Sequence, residues 1–221
     1  IAIHSAKDMP AVSNLSDLDE IYISNDLAQG DKKYNSRNDI LIFRNNEDPV
    51  FEKNMKIGTS SLRRKLQSKF FLEATEIVNL NGNVDTRVKK LNDGEYDCII
   101  LAKAGCERLE LDLNYSELDH LTNISQGSIC IRFNKKREEI LKLLEPLGDD
   151  EMKRKIDECN NFLSLINADC NSAVAVDYED EVLQAEVYGK NEYIKFSALN
   201  AEEAFIRFKE LDGLRLLNEH S

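Results

Sequence analysis

One pattern recurs through the middle of the chain: an apolar stretch, a turn with glycine, hydroxyl or amide residues, and then apolar residues at helical spacing. It occurs in KIGTSSLRRKLQSKF from Lys56, in EIVNLNGNVDTRVKKLNDG from Glu76 and in YDCIILAKAG from Tyr96. Strands that alternate with helices form a largely parallel sheet covered by those helices. The pattern therefore predicts an α/β fold with parallel strands for this part of the chain.

The pattern changes from Glu151 onward. Strands at SAVAV, VLQAEVY and YIKFSAL, followed by the helix AEEAFIRFKEL, predict a compact α+β unit. The 221 residues are enough for two or three small domains. An amphipathic helix ending at Asn167 precedes the α+β unit, because apolar residues recur at helical intervals at Met152, Ile156, Cys159, Phe162 and Ile166.

Charge and composition narrow the classes of function. The formal net charge of −12 argues against a nucleic-acid binder, so a bound anion must be held by a local cluster of cations. No apolar run approaches the roughly 18 residues of a membrane span. The five cysteines form no CxxC pair, which favours thiols in a reducing cytosol over a metal site. Because Ile1 begins within an apolar strand, we expect the natural N-terminus to lie upstream.

The block IGTSSLRR, residues 57 to 64, is the strongest candidate anion site. Its glycine permits a tight turn from strand to helix, and its hydroxyl groups lie beside the free backbone N–H groups of the helix start. Arg63 and Arg64 follow in the first turns. Such a helix start suits a carboxylate or a phosphate. A capped helix with solvated arginines is the simpler alternative.

A second turn of this kind, NGNVDTR at residues 81 to 87, opens the next helix with Arg87 on its first turns. The alternative is an ordinary Asn-Gly turn before a surface helix. Because ligands of open α/β sheets collect beyond the carboxyl ends of the strands, two such turns at successive strand ends favour a shared site. Arg108 is a third candidate cation, although a single arginine is usually a solvated charge.

Two further segments carry reactive groups. HSAKDMP, residues 4 to 10, places the carboxylate of Asp8 beside a lysine, where it could stabilise a cation or move protons. An ordinary surface Lys-Asp pair is the alternative, and His4 is more often structural. Cys170, unlike Cys98 and Cys159, lies in a polar loop, where a thiol is a candidate nucleophile or attachment point. An idle loop cysteine is an equal alternative.

Taken in order, these segments resemble the porphobilinogen deaminases. HSAKDMP is similar to the family's HSxKDxP, IGTSSLRR to GTSSLRR, and NGNVDTRVKKLNDGEYDCIILAKAGCERL to RGNxxTRxxKLxxGxYDAIILAxAGLxRL. SQGSICI is similar to GQGALxI, and ADCNSAVAV to the cofactor loop GGCxxPxxV. The resemblance runs from Ile1 to about Val176 and is specific, because several independent motifs recur in the right order.

The resemblance implies three domains. Two would be α/β domains similar to periplasmic binding proteins, placed around a cleft: residues 1–30 with 127–149, and residues 31–126. The third, residues 150–221, would be a small α+β domain. It also implies a cytoplasmic, monomeric transferase of haem biosynthesis that condenses four porphobilinogens head to tail with loss of ammonia. Hydrolysis then releases hydroxymethylbilane, and no nucleic acid or membrane is expected as a partner.

By position, the resemblance assigns a covalent dipyrromethane cofactor, held by a thioether, to Cys170 and the catalytic carboxylate to Asp8. Arg63, Arg64, Arg87 and Arg108 would bind the carboxylates of the substrate. The side chains implied in holding the cofactor are Ser5, Lys7, Thr59, Ser61, Arg63, Arg64, Asn83 and Arg87.

The sequence departs from the family pattern at several positions. Asn81 and Asn160 stand where the family has arginine, and Ala168-Asp169 replaces Gly-Gly before the cysteine, which puts a carboxylate beside the thiol and disfavours thiolate. The loop also lacks its usual proline, and Arg132 stands near a common acidic position. A second hypothesis is therefore a weakened or inactive homologue that binds anions without turnover. Lysines such as Lys89 and Lys103 are candidates to compensate.

Overall fold

The computed structural model describes residues 1–9, 17–23, 37–44, 49–169 and 171–220, and only the backbone of Asp8. These residues form three sheets with helices packed on them, which confirms the predicted α/β class. None of the described helices is long and apolar enough to cross a membrane. The strands are β1 (Ala2–Ser5), β2 (Leu18–Ile23), β3 (Asp39–Phe43), β4 (Lys56–Gly58), β5 (Glu76–Val78), β6 (Cys98–Ala102), β7 (Asn114–Leu118), β8 (Ile129–Asn134), β9 (Val174–Glu179), β10 (Val182–Tyr188) and β11 (Tyr193–Ala198).

Helices connect and cover these strands. Short 3₁₀ turns lie at Ala6–Asp8 and Glu145–Leu147. The α-helices are α1 (Leu62–Phe71), α2 (Val84–Asn92), α3 (Lys103–Arg108), α4 (Glu138–Leu144), α5 (Asp150–Leu165), α6 (Ala201–Glu210) and α7 (Gly213–Asn218).

The central sheet has five strands in the order β5-β4-β6-β3-β7. Strand β4 is parallel to β5 and β6, as the recurring pattern predicts, whereas β3 is antiparallel to both β6 and β7. The sheet is therefore mixed rather than parallel throughout. Its strand β3 is buried along its whole length, with Ile40 and Ile42 packed in one core and Leu41 and Phe43 in another. A sheet covered on both faces explains why this strand is a continuous apolar run.

The first and third sheets are antiparallel and share one core. Strand β8 lies between β1 and β2, and β10 lies between β11 and β9. The buried side chains of Tyr22 and Cys130 belong to the same apolar cluster as Phe162 of α5 and Val176 of β9. The predicted amphipathic helix is confirmed, since α5 turns Ile156, Cys159 and Phe162 toward this core. Contact between the N-terminal strands and the C-terminal unit thus forms much of the interior.

Several elements differ from the sequence expectations. Strands β3 and β7 and helix α7 are additions that no pattern indicated, and strand β5 is short, ending at Val78. The cysteines at 98, 106, 130 and 159 are buried, in agreement with the hydrophobic role expected of Cys98 and Cys159. The domain boundaries at residues 30, 126 and 149 stay predictions.

Candidate functional site

The start of α1 is built as the sequence predicts. Ser61 is the N-cap, and its hydroxyl accepts a hydrogen bond from the backbone N–H of Arg64 at 3.4 Å. Thr59 is fully buried, and its Oγ1 accepts from the N–H of Ser61 at 3.3 Å. Gly58 is required by crowding, because a Cβ there would lie 2.7 Å from Cδ1 of Tyr96. The strand-to-helix turn therefore packs closely against core side chains and leaves no room for a Cβ at residue 58.

Arg63 and Arg64 are buried, so the alternative of a capped helix with solvated arginines is wrong. Their side chains are 8% exposed and share one buried carboxylate, that of Asp39 at the start of β3. Nη1 of Arg63 lies 3.0 Å from Oδ2, and Nη2 of Arg64 lies 2.7 Å from Oδ1. The physical reason for their burial is this ion pair, because a buried charge is stable only when it is paired and hydrogen-bonded.

Asp39 is a site residue that the sequence analysis missed. Burial alone would raise the pKa of its carboxyl group, but Arg64 and Arg63 outweigh burial and hold that pKa well below its ordinary value. The amide of Gln126 adds a hydrogen bond to Oδ1 at 2.9 Å. A usable signal was present: the aspartate directly before the apolar run ILIF lies at the start of a buried strand, where a carboxylate needs a cationic partner.

The second predicted turn has the same local design. Asn83 is the N-cap of α2, and its Oδ1 accepts from the N–H of Thr86 at 2.9 Å. Gly82 has a φ of 123°, a region that disfavours side chains. Arg87 is half-buried, and its Nε donates to the carbonyl of Gly82 at 2.7 Å. Burial and the charge of Arg64 both lower the pKa of Arg87, so these two cations face a common region.

A cleft of about 250 Å³ brings the two helix starts together with the turn after β1, the segment before β8 and the segment that leads into β9. Among the described residues, its lining holds four cations and no carboxylate, so Asp39 neutralises the arginine pair from outside the lining. An anionic ligand is the complement of such a surface. The lining residues are Lys7, Ser60, Ser61, Arg63, Arg64, Arg87, Asn123, Gln126, Asn171, Ser172 and Val174.

The loop between α5 and β9 borders this cleft. Cys170 lies outside the described residues, but Asn171 and Ser172, which follow it, line the cleft. The carboxylate of Asp169 accepts hydrogen bonds from the N–H of Asn171 at 2.9 Å and from the hydroxyl of Ser172 at 3.1 Å. Burial raises and these bonds lower the pKa of Asp169, with a net decrease. The residue that replaces glycine thus stabilises the turn of the loop.

The first segment meets the same region. Lys7 lines the cleft and also a cavity of about 30 Å³, which it shares with Asn160 and Asp169. Asp8 ends the 3₁₀ turn that begins at Ala6, directly after Lys7. Ser5 is the half-buried N-cap residue of that turn, with no hydrogen bond from its side chain to the turn, and His4 is exposed.

Other predicted or candidate side chains lie elsewhere. Arg108 donates to the carbonyl of Gly127 and, like Ser5, Thr59 and Asn83, is not among the described residues that line the cleft. Of the lysines considered as compensation for Asn81, Lys89 pairs with Asp93 at 2.6 Å and Lys103 pairs with Glu117. The side chain that reaches Asn81 is Lys90, whose Nζ donates to the Asn81 carbonyl at 3.3 Å. Arg132 pairs with Glu20 of the neighbouring strand β2.

A second cavity, of about 320 Å³, also borders the loop and shares Asn171 and Ser172 with the cleft. Its described lining includes Leu62, Leu217 and His220 but no lysine or arginine. For a carboxylate ligand, charge therefore selects the cleft rather than this cavity.

The donors of the cleft fit a ligand with several carboxylates. Guanidinium groups bind carboxylates through paired hydrogen bonds, and an ammonium adds a point charge. Nε of Arg64 is buried and has no acceptor among the described residues. The site and the fold together define an α/β protein with a cationic cleft.

Comparison with known proteins identifies the family to which the chain belongs. The family described as porphobilinogen deaminase, dipyromethane cofactor binding domain, matches residues 1–142. The chain belongs to the porphobilinogen deaminase family. The resemblance seen in the motifs is thereby confirmed, and the matched domain is one that binds a dipyrromethane cofactor, as predicted. Cys170 lies beyond the matched residues.

Individual relatives agree with the family. The chain is 34% identical over 178 residues to a porphobilinogen deaminase of Roseiflexus sp., covering 79% of this chain and 56% of that one. It is 36% identical over 181 residues to a probable porphobilinogen deaminase of Picrophilus torridus, covering 80% and 60%. A Campylobacter jejuni relative is 31% identical over 199 residues, covering 86% and 62%. The chain thus spans about three fifths of the length of these curated relatives.

Among solved structures, a periplasmic binding protein of Salmonella typhimurium with high arginine specificity matches 52% of this chain and 55% of its own. Its sequence identity is 13% and its TM-score is 0.32. The fold class rests on the sheets and helices described above.

Proposed function

We propose that the protein containing this chain is a porphobilinogen deaminase, also called hydroxymethylbilane synthase. It joins four porphobilinogens head to tail with loss of ammonia and releases hydroxymethylbilane by hydrolysis. The observation that carries the proposal is the cleft, which combines Lys7, the arginine pair and Arg87 with the residues that follow Cys170. Family membership supplies the reaction, and the cationic lining supplies the complement of its polycarboxylate substrate.

Cys170 is the proposed attachment point of the dipyrromethane cofactor. Cys170 directly precedes Asn171 and Ser172, which line the cleft, and this adjacency in sequence supports attachment of the cofactor at the border of the cleft. When bound, the cofactor supplies the pyrrole carbon to which the first porphobilinogen is joined. Asp169 orders this loop through its hydrogen bonds, so its replacement of glycine is compatible with the role of the loop.

The cations of the cleft neutralise and orient the acetate and propionate groups. Each porphobilinogen brings two carboxylates, and a guanidinium can hold one of them through paired hydrogen bonds. Arg63 and Arg64 are fixed by Asp39, while Arg87 is tied only through Nε to a backbone carbonyl among the bonds described. Thr59, Ser61 and Asn83 support the two helix starts through their hydrogen bonds. Ser5, which begins the turn before Lys7, and Arg108 are further ligand-binding residues in this proposal.

Asp8 is the proposed catalytic carboxylate. It directly follows Lys7, which lines the cleft, so its backbone lies next to the cleft. A carboxylate there stabilises positive charge on a pyrrole nitrogen of the substrate while the ammonia leaves. The enzyme would act as a cytoplasmic monomer, with porphobilinogen and the growing oligopyrrole as its partners and with no nucleic acid or membrane.

The first experiment is a mass spectrum of the whole protein, made in cells with an active tetrapyrrole pathway. We expect the peptide that contains Cys170 to carry the mass of a dipyrromethane, and Cys170→Ser to abolish it. A bare Cys170 in folded protein that still binds a tricarboxylate would refute the enzyme proposal and favour an inactive, anion-binding homologue.

The second experiment separates binding from chemistry. Asp8→Ala is expected to keep the cofactor attached but to lose ammonia release from porphobilinogen, because the stabilising carboxylate is absent. Asp112→Ala removes an exposed carboxylate far along the chain and serves as the matched control. Full activity of Asp8→Ala would remove Asp8 from the mechanism.

A further inference from the structure

A hydrogen-bonded network of buried polar side chains, those of Arg63, Gln67, Tyr188 and Glu186, leads from the arginine pair to strand β10 of the third sheet, β11-β10-β9. Nη1 of Arg63 donates to Oε1 of Gln67, one helical turn further along α1, at 2.7 Å. Nε2 of Gln67 donates to the hydroxyl of Tyr188 at 3.0 Å, and that hydroxyl donates to Oε2 of Glu186. All of these residues are buried, and Glu186 is only 3% exposed. Buried polar groups of this kind are held in one arrangement by their partners.

The direction of each hydrogen bond in this side-chain network is fixed. A guanidinium can only donate, so the amide oxygen of Gln67 must face Arg63 and its NH₂ group must face Tyr188. Because Tyr188 accepts from that NH₂ group, its own proton goes to Glu186. Burial, followed by the charge of Glu186, raises the pKa of Tyr188, so the hydroxyl stays protonated. Lys195 partners the other carboxylate oxygen of Glu186 at 3.0 Å.

Tyr188 also contacts the strand that follows the cofactor loop. Its backbone N–H donates to the carbonyl of Ala173 at 2.9 Å. Ala173 comes directly after Ser172, which lines the cleft. One residue therefore joins the arginine pair, through its hydroxyl and Gln67, to the segment that carries Cys170.

We propose that Tyr188 is a positioning residue for the cleft: its hydroxyl fixes Gln67, and through it the guanidinium of Arg63, relative to the loop that carries Cys170. The inference rests on the proposed function only in naming porphobilinogen carboxylates as the natural ligand. The positioning of Arg63 affects the binding of any carboxylate ligand to its guanidinium.

The test compares Tyr188→Phe with Tyr178→Phe in the whole protein. Both tyrosines are buried in the third sheet, and both substitutions remove one hydroxyl. The hydroxyl of Tyr178 lies near Glu181 at 3.3 Å and the carbonyl of Leu199 at 3.5 Å, so it has no part in the chain to Arg63. Tyr188→Phe leaves Gln67 bonded to the Leu121 carbonyl and Glu186 paired with Lys195, so we expect it to fold.

Two readouts separate this inference from the proposed function. Calorimetric titration with citrate, a tricarboxylate, measures the cleft without any turnover. The loss of one hydrogen bond in the chain is expected to weaken citrate binding about fivefold in Tyr188→Phe, with no change in Tyr178→Phe. In the ammonia-release assay, the KM for porphobilinogen should rise by a similar factor while kcat changes less than about twofold, because binding of the carboxylates is affected more than chemistry.

A double substitution identifies the path of the effect. If Tyr188 acts through Arg63, Tyr188→Phe should have no further effect on citrate binding in an Arg63→Lys background. The inference would be overturned by additive losses of citrate affinity in the double variant. It would also be overturned by equal losses in the two Tyr→Phe variants, or by a wild-type protein that does not bind citrate. Citrate binding with the expected pattern, but without ammonia release by the wild-type protein, would retain the role of Tyr188 and reject the proposed function.

Discussion

The two turns that open α1 and α2 have nearly the same sequence design but different surroundings. Each has a cap residue, Ser61 or Asn83, and each carries an arginine just inside the helix. At the first turn, Arg63 and Arg64 are buried and share Asp39. At the second turn, Arg87 is half-buried, and no carboxylate is bonded to it in the part of the chain that the structure describes.

The difference shows how one local motif serves two purposes. A guanidinium locked by a buried carboxylate offers its remaining donors in a fixed direction, which suits the orientation of a ligand. A half-exposed arginine keeps rotamer freedom and can follow ligands of different length. The first turn therefore forms a rigid part of the cleft, and the second forms an adjustable part.

Removing the shared carboxylate should have the largest effect on stability. Asp39→Ala leaves two buried guanidiniums without a counter-charge, and we expect it to lower the free energy of unfolding by about 3 to 5 kcal/mol. Asp85→Ala, at the exposed start of α2, should cost about 0.5 kcal/mol. Urea unfolding of both variants measures the difference, and similar losses would contradict the contrast between the two turns.

Crowding behind the first turn should have the next largest effect. In Gly58→Ala the new Cβ would meet Tyr96 at 2.7 Å, Ile99 at 3.0 Å and Leu80 at 3.1 Å. We expect a loss of about 1 to 3 kcal/mol in the free energy of unfolding. Gly105→Ala is the control, because no atom lies within 4 Å of its added Cβ and alanine favours a helix. A stable Gly58→Ala protein would show that the turn is not fixed by the core.

The ion pair also predicts a dependence on pH. The pKa of Asp39 is lower in the folded protein than its ordinary value of 3.8, so the unfolded chain takes up this proton first as the pH falls. The stability from Asp39 is therefore complete above that ordinary value and is lost below it, at up to about 1.4 kcal/mol per pH unit. The melting temperature, measured from pH 5 to pH 2 in steps of about half a unit, should change less with pH in Asp39→Asn than in the natural protein. Identical profiles would argue against the pair.

Removal of the cap residue of either helix should lower the free energy of unfolding moderately. Ser61→Ala and Asn83→Ala are each expected to cost about 1 kcal/mol. The cost should be larger at Asn83, whose bond of 2.9 Å is shorter than the 3.4 Å bond at Ser61. Asn83→Asp keeps the acceptor and should retain the stability of the natural protein. Chemical unfolding decides the order, and a neutral Asn83→Ala would be inconsistent with a cap at this position.

The smallest effect on stability is expected at the adjustable part of the cleft. Arg87→Ala should change the free energy of unfolding by less than about 0.5 kcal/mol. Because a charge-assisted hydrogen bond is lost, citrate affinity should fall about tenfold. Lys89→Ala, on the same helix but paired with Asp93, should leave citrate affinity unchanged. Equal losses of affinity in the two variants would point to general charge rather than to a specific contact.

The parts of the fold that depend on near neighbours in sequence were predictable. The caps at Ser61 and Asn83 and the buried face of α5 follow from residues three or four positions apart. The burial of Arg63 and Arg64 was not predictable from their own turn, because the partner carboxylate lies on β3, 24 residues earlier for Arg63. Strand β3 itself was overlooked as a short apolar run in polar surroundings.

The site followed the same division. A shared site for Arg63, Arg64 and Arg87 was expected from the turns at strand ends, and the family resemblance added Lys7; all four line one cleft. Gln67 and Tyr188 carry no motif, since glutamine in a helix and tyrosine in a strand are ordinary. Their hydrogen bond joins positions 121 residues apart, and only the packing of α1 on the third sheet brings them together.

The pairing of β1 and β2 with β8 also determines the order in which the protein can fold as it is synthesised. Ile23 pairs with Ile129, so β2 cannot make this pairing until the intervening chain has emerged, which takes roughly 5 to 20 s at ordinary translation rates. The central sheet is complete within residues 39 to 118 and can form earlier. During that interval Ile21 and Ile23 of β2 lack the cluster around Ile131 and Phe133 against which they pack in the folded protein.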